Sequence, residues 1–316
     1  MRKSAVIFPG QGAQYVGMGS GLFESETASK IIGLVNDVLG FDLKDLCLNG
    51  PIEELTKTEN SQVAIYSMGY IAYKLLEESL GSDYKPEYCA GLSLGEFTAL
   101  AVAGVYDFEE GLRLVYKRGQ FMKQACIDNP GAMASIMGAT VEDLKPLIDK
   151  HLSDNRVITM ANLNCPSQIV ISGEKSLVEQ VAGESEDKGF RAIILKVSGA
   201  FHSGLMESAR VKLSEEVDKV NFKDPLIPVI SNCDASVKTN GSDIKQAVVK
   251  QMVSSVLWED SVRLMLKEGI DFFIELGCGR VLKGLLRKID RSATCINVEK
   301  IEDMEKVSAG LSQVVV

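Results

Sequence analysis

Ser93 stands between Gly91 and Gly95 in the stretch CAGLSLGEFTALAVAGV, residues 89–105. A serine in the pattern G-x-S-x-G, between a short strand and a helix, is the arrangement that exposes a nucleophilic oxygen on a cramped turn. The helix that follows offers unpaired N–H groups, which stabilise a developing oxyanion. The same pattern also describes a tight turn whose serine only caps a helix. A reacting serine needs a base, and the chain has two histidines, His151 and His202. His151 lies in LIDKHLSD, at the polar end of a predicted helix, and reads as a solvated surface residue. His202 lies in VSGAFHSGLM, where the chain is expected to pass between two structural units, and such loops line clefts. By elimination His202 is the base if Ser93 is the nucleophile. Otherwise it is a cap or core histidine. No acidic residue stands out to orient its ring, but a backbone carbonyl can accept from the second ring nitrogen equally well.

A second glycine-rich turn, FPGQGAQYVGMG, looks at first like a phosphate loop. It fails both tests, because Tyr15 occupies the last glycine of G-x-G-x-x-G and Met18 the lysine of G-x-x-x-x-G-K-[ST]. What remains is a loop after the first strand that presents backbone N–H groups near Gln11. It is either a second oxyanion donor or a turn without a role.

The elements that must position these residues read as an α/β fold. SAVIFPG, EYCAGLS, PLIPVISNC and DFFIELG are strand-like, and helical spacing separates them in SQVAIYSMGYIAYKLLEESL, GEFTALAVAGV and FEEGLRLVYKRGQFMKQAC. Strands alternating with helices predict a mainly parallel sheet covered on both faces. The middle differs: GAMASIMG, a helix TVEDLKPLIDKHL capped by Thr140, RVITMANLN, SQIVISG, a helix, then FRAIILKVS. That β-α-β-β-α-β order is ferredoxin-like. The expected architecture is a large hydrolase-like α/β domain (residues 1–129 and 199–316) with an inserted ferredoxin-like α+β subdomain (residues 130–198). DIKQAVVKQMVSSVLW and EDSVRLMLKEG are expected as helices, and the tail SAGLSQVVV as frayed or only lightly docked.

Composition narrows the function. A net charge of −9 argues against a nucleic-acid partner, which needs a basic surface. No apolar run reaches the ~18 residues of a membrane span, and MRKSAVIFPG reads as a first strand rather than a signal peptide. Seven cysteines without a C-x-x-C pair, beside two histidines, make a zinc site improbable and suit a reducing cytosol.

Taken together, GQGAQ, GLSLGE, YKRGQFM, NLNCPSQIVISG, GAFHS, PVISNCDA and ELGCGRVLKGL, in this order along nearly the whole chain, resemble the malonyl-CoA:acyl carrier protein transacylases of fatty acid synthesis and the related acyltransferases of polyketide synthases. The resemblance implies Ser93 as the acylated nucleophile and His202 as its activator. It implies Gln11 and Leu94 as backbone oxyanion donors and Gln251 as the residue whose carbonyl orients the histidine. Arg118 matches the arginine that pairs with the free malonyl carboxylate, and Asn162 falls in a segment lining the pocket. Phe201, before the histidine, goes with malonyl rather than methylmalonyl in the polyketide relatives. The implied substrate is malonyl-CoA, with no bound cofactor or metal. The implied partner is an acyl carrier protein bearing phosphopantetheine, met by a cytoplasmic monomer with neither nucleic acid nor membrane. The basic run Arg280, Lys283, Arg287, Lys288 and Arg291 is either a dock for the acidic carrier or a solvated helix face. One departure is Leu92, where many relatives place a histidine. Alternatives are a free-standing polyketide acyltransferase, a hydrolase that clears acyl groups from carriers, and a carrier-binding module without catalysis.

Overall fold

The computed structural model describes residues 2–81, 84–153 and 155–312. In chain order the strands are β1 (Ser4–Phe8), β2 (Tyr88–Gly91), β3 (Gly131–Met137), β4 (Ile158–Cys165), β5 (Gln168–Glu174), β6 (Arg191–Ile194), β7 (Val229–Ile230), β8 (Val237–Lys238), β9 (Phe272–Leu276) and β10 (Thr294–Val298). They form two sheets, one in the order β10-β9-β1-β2-β7-β8 and one in the order β4-β5-β3-β6. The first is parallel apart from the β7–β8 hairpin. The second is antiparallel throughout.

The central strand β1 shows why the larger sheet needs helices on both faces. All five of its residues are buried, with Val6 and Phe8 in one apolar cluster and Ala5 and Ile7 in another. Alternate side chains of a strand point to opposite faces, so each face must be covered. The smaller sheet keeps a third cluster with its two helices, Val141–His151 and Lys175–Asp187. Thr140 caps the first of these in a full capping box, accepting from Asp143 N while the Asp143 side chain accepts from its own N–H.

Three expectations change. The stretch FRAIILKVS pairs only over Arg191–Ile194, with Leu195 N still donating to Met133 O at 2.9 Å before the chain leaves the sheet. The expected long helix from residue 243 stops at Gln251 and a new one starts at Trp258. In the gap Val256 bonds across to the smaller sheet, donating to Ala161 O and accepting from Leu163 N. The tail, expected as frayed or only lightly docked, is a docked helix where it is described. Residues Asp303–Ser312 form a helix that buries Met304, Val307 and Leu311, because its apolar positions recur at helical spacing; the final VVV and Gln313 lie outside the described residues. Strand β10 closes one edge of the parallel sheet and was not assigned from the sequence.

Candidate active site

Ser93 sits between the end of β2 and the helix Leu94–Val102, with φ 54° and ψ −99°. That conformation is rare for a residue with a side chain and persists only where the surroundings enforce it. The glycines allow the turn by letting backbones touch. A Cβ on Gly95 would stand 2.1 Å from Phe8 O, and one on Gly91 2.0 Å from Gly95 C. Gly10 plays the same part for the first loop, since its Cβ would lie 2.4 Å from Leu92 O. The Gln11 turn is thereby pressed against the elbow. Asn232, just after β7, completes the clamp: its Oδ1 accepts from Ser93 N at 2.6 Å and its Nδ2 donates to Gly91 O at 2.7 Å.

His202 meets the serine. Its Nε2 is 2.7 Å from Ser93 Oγ, and its Nδ1 is 2.9 Å from Gln251 O. The Gln251 carbonyl can only accept, so Nδ1 carries the proton and Nε2 is free to accept from the hydroxyl. This carbonyl is available because the helix ends at Gln251, and the last turn of a helix leaves its carbonyls without intrahelical partners. Burial, and then the charge of Arg118, pull the His202 pKa down to about 4, so the ring is a neutral base at ordinary pH. His151 is elsewhere. Its side chain is mostly buried and pairs with Glu184 at 2.9 Å, rather than lying free in solvent as the sequence suggested.

Arg118 lies inside the long helix Phe108–Asp128 and is fully buried. Its Nη1 donates to Gln62 Oε1 at 2.7 Å, and its Nη2 reaches both Ser93 Oγ and Gln251 Oε1 at 3.1 Å. Phe97 underlies the guanidinium at 5.0 Å. Burial lowers its pKa to about 10, which still leaves a cation at neutral pH. A buried cation held only by neutral amides and a hydroxyl is a ready site for an anion.

These groups open into a cavity of about 210 Å³ between the two sheets. Gln11, Leu92, Asn162 and Phe201 line it together with Ser93, Arg118 and His202. Asn162 stands at a register irregularity of β4 and bridges to Val256, where the two halves of the chain meet. Leu94 opens the elbow helix, so its N–H belongs to the first turn, where N–H groups lack helical acceptors. Val281 and Leu285 of the helix Val281–Ile289 form part of the rim. Lys283, Arg287 and Lys288 are exposed on that helix, and Lys288 Nζ donates to Gln168 Oε1 at 2.8 Å.

Three residues around the site were not found from sequence: Gln62, Asn232 and Glu96. Glu96 carries a legible signal, an acid in the otherwise apolar run GEFTALAVAGV. Gln62 and Asn232 are ordinary amides whose roles depend on long-range packing. Among the described residues no cluster of three metal-ligating side chains occurs, and no helix is long and apolar enough to cross a membrane.

Comparison with known proteins places this geometry among relatives. The family described as "Acyl transferase domain" matches residues 6–307. The malonyl CoA-acyl carrier protein transacylase of Bacillus subtilis is 42% identical over 307 residues, which cover 96% of each chain. The solved malonyl CoA-acyl carrier protein transacylase of Coxiella burnetii superposes with a TM-score of 0.94 at 31% identity, covering 99% of this chain and 98% of that one. A solved complex of a type II polyketide acyl-carrier protein with its malonyl-transacylase matches with a TM-score of 0.93 at 33% identity, over 98% of this chain and 99% of that one.

Proposed function

This chain belongs to the acyl transferase domain family, among the malonyl-CoA:acyl carrier protein transacylases, and we propose that it moves a malonyl group from malonyl-CoA to the phosphopantetheine thiol of an acyl carrier protein. The observation that carries this reading is a single oxygen, Ser93 Oγ, with His202 Nε2 at 2.7 Å and Arg118 Nη2 at 3.1 Å. A base alone suits any acyl transfer. The buried cation beside it suits an acyl group that ends in a carboxylate.

His202 takes the hydroxyl proton as Ser93 Oγ bonds to the thioester carbon. The backbone N–H groups of Gln11 and Leu94 hold the oxyanion. The C–S bond then breaks and the CoA sulfur takes the proton from His202, leaving a malonyl ester on Ser93. In the second half, the carrier's thiol gives its proton to His202 and its sulfur attacks the ester carbon. Ser93 leaves with that proton. The Gln251 carbonyl keeps the ring in the required tautomer throughout, doing the work of the missing acid.

Arg118 grips the distal carboxylate with parallel charged hydrogen bonds. One such bond contributes ~1.5–3 kcal/mol, so even a single one sets a preference over acetyl of about tenfold to a hundredfold. The ring of Phe201 crowds a branching methyl, and Asn162 lines the same cavity. Residues 130–198 act as an inserted subdomain that roofs the pocket. The enzyme works as a cytoplasmic monomer without a bound cofactor and supplies extender units for fatty acid synthesis.

Intact-mass measurement tests this directly. Malonyl-CoA should convert the protein to a stable adduct mapped to Ser93, absent in Ser93→Ala, and phosphopantetheinylated carrier should discharge it. Release of free malonate at the same rate without any acceptor would make the protein a hydrolase instead.

A further inference from the structure

Glu96 is an acid buried in the core of the site, 2% exposed, and no step of the transfer uses it. Two donors converge on one of its oxygens. Gln251 Nε2 donates to Glu96 Oε2 at 2.6 Å, and Asn232 N donates to the same Oε2 at 3.2 Å. Both donors belong to residues that hold the catalytic groups. Asn232 accepts from Ser93 N, while Gln251 supports the histidine through its carbonyl and the arginine through its side chain.

The Gln251 amide has two ends, and only its neighbours decide which faces which way. On one side lie Glu96 Oε2 and Ser93 O, which its Nε2 reaches at 2.6 and 3.0 Å. Ser93 O accepts and cannot donate, and the Glu96 carboxylate does the same in its ionised form. On the other side lies Arg118 Nη2, which can only donate, 3.1 Å from Gln251 Oε1. Reversal would put an NH₂ group against the guanidinium and an oxygen against two acceptors. In a buried site each unmade bond weakens the arrangement by about fivefold to a hundredfold.

We propose, on the basis of the malonyl-transfer reading above, that Glu96 is the positioning residue that fixes the Gln251 amide and thereby keeps Arg118 aimed for a carboxylate-ended acyl group. Selectivity for malonyl over acetyl then depends on a residue that touches neither substrate. Burial raises the Glu96 carboxyl to about 7, while the hydrogen bonds from Gln251 and Asn232 pull it the other way. Since both donors end on Oε2, one acceptor oxygen at the right reach suffices, and the negative charge is secondary.

Two conservative variants separate reach from charge. Glu96→Gln keeps the reach and one acceptor oxygen but loses the charge. Glu96→Asp keeps the charge and withdraws it by one methylene. The readout is the ratio of malonyl to acetyl kcat/KM measured on one preparation, because the fraction of folded enzyme cancels in it. Glu96→Gln should hold the ratio within about threefold, while Glu96→Asp should lower it by ~10-fold, the scale of one lost buried hydrogen bond. The reverse order, equal falls, or no change in either variant would overturn the proposal. The unmodified protein is the control: if it forms no malonyl ester on Ser93, the function reading fails, independently of Glu96.

Discussion

At the scale of single residues, the site turns on a histidine kept neutral beside a permanent cation. Burial is the larger cause of the low His202 pKa, and the Arg118 charge the next. The histidine acts as a base only when neutral, so the rate should fall as pH drops through its pKa, near 4, and stay level above it. Arg118→Ala removes one of the two causes, so the acid limb should move upward, toward the ordinary value of 6.5. The limb is best followed through kcat/KM for a neutral acyl thioester, which reports the free enzyme. In the same variant malonyl transfer should fall by at least about tenfold to a hundredfold, the scale of one lost charged hydrogen bond to the carboxylate, while acetyl transfer changes little. Equal losses on both substrates would remove the assigned role. An acid limb that stays put would show that the arginine charge does not reach the imidazole. Leu92 belongs to this account: an apolar side chain beside the serine leaves His202 as the only imidazole lining the cavity among the described residues.

At the scale of elements, the elbow works because three backbone segments pass within contact of one another, and glycine is what permits it. Gly95→Ala would drive a methyl group into Phe8 O at 2.1 Å, a contact with backbone that cannot swing aside. The end of β1 or the elbow must move, and Ser93 moves with it. Overpacking of this kind costs about 1–3 kcal/mol or more, so a lower melting temperature and loss of the Ser93 adduct are expected together. A variant with normal stability and full acylation would mean that the turn is looser than its contacts imply. This dependence on backbone contact also explains what could be read from sequence. The G-x-S-x-G pattern, the strand-helix alternation and the β-α-β-β-α-β order are local signals, and they are where the structure agrees. By spacing alone Arg118 is one more charge on a basic helix face with Arg113 and Lys117; Arg113 does pair with Glu109 on the surface, while Arg118 is fully buried. Only the family resemblance separated them, because helical spacing does not reveal which charged residue has amide partners waiting on other elements. The end of the helix at Gln251 was hidden for a similar reason. Its apolar pattern continues, but Val256 is recruited as a backbone partner for β4, residues distant in the chain.

At the scale of the molecule, a chain with net charge −9 that receives an acidic carrier, as the resemblance implies, needs a local exception to its own charge. The helix Val281–Ile289, beside the cavity, is the place we propose for it. Its buried Leu285 and exposed Val281 border the cavity, and Lys283, Arg287 and Lys288 are exposed alongside. The helix is anchored from below by buried Glu275 on β9, whose two oxygens accept from Leu282 N and Lys283 N at 2.8 and 2.9 Å. A rigid basic rim beside the opening would orient an acidic carrier so that its phosphopantetheine arm enters toward Ser93. Rim charges act chiefly on encounter rate and are screened by salt over ~8–10 Å. Reversing two of them, Lys283→Glu with Arg287→Glu, should therefore raise the KM for the carrier severalfold at low ionic strength. Added salt should shrink the difference. Discharge of the preformed malonyl enzyme by free pantetheine, an uncharged thiol, should be unaffected, because neither residue lines the cavity. A carrier KM that does not change would leave this helix as a solvated face and move the dock elsewhere. A matching loss with pantetheine would show instead that the reversal had disturbed Val281 and Leu285, and with them the pocket itself.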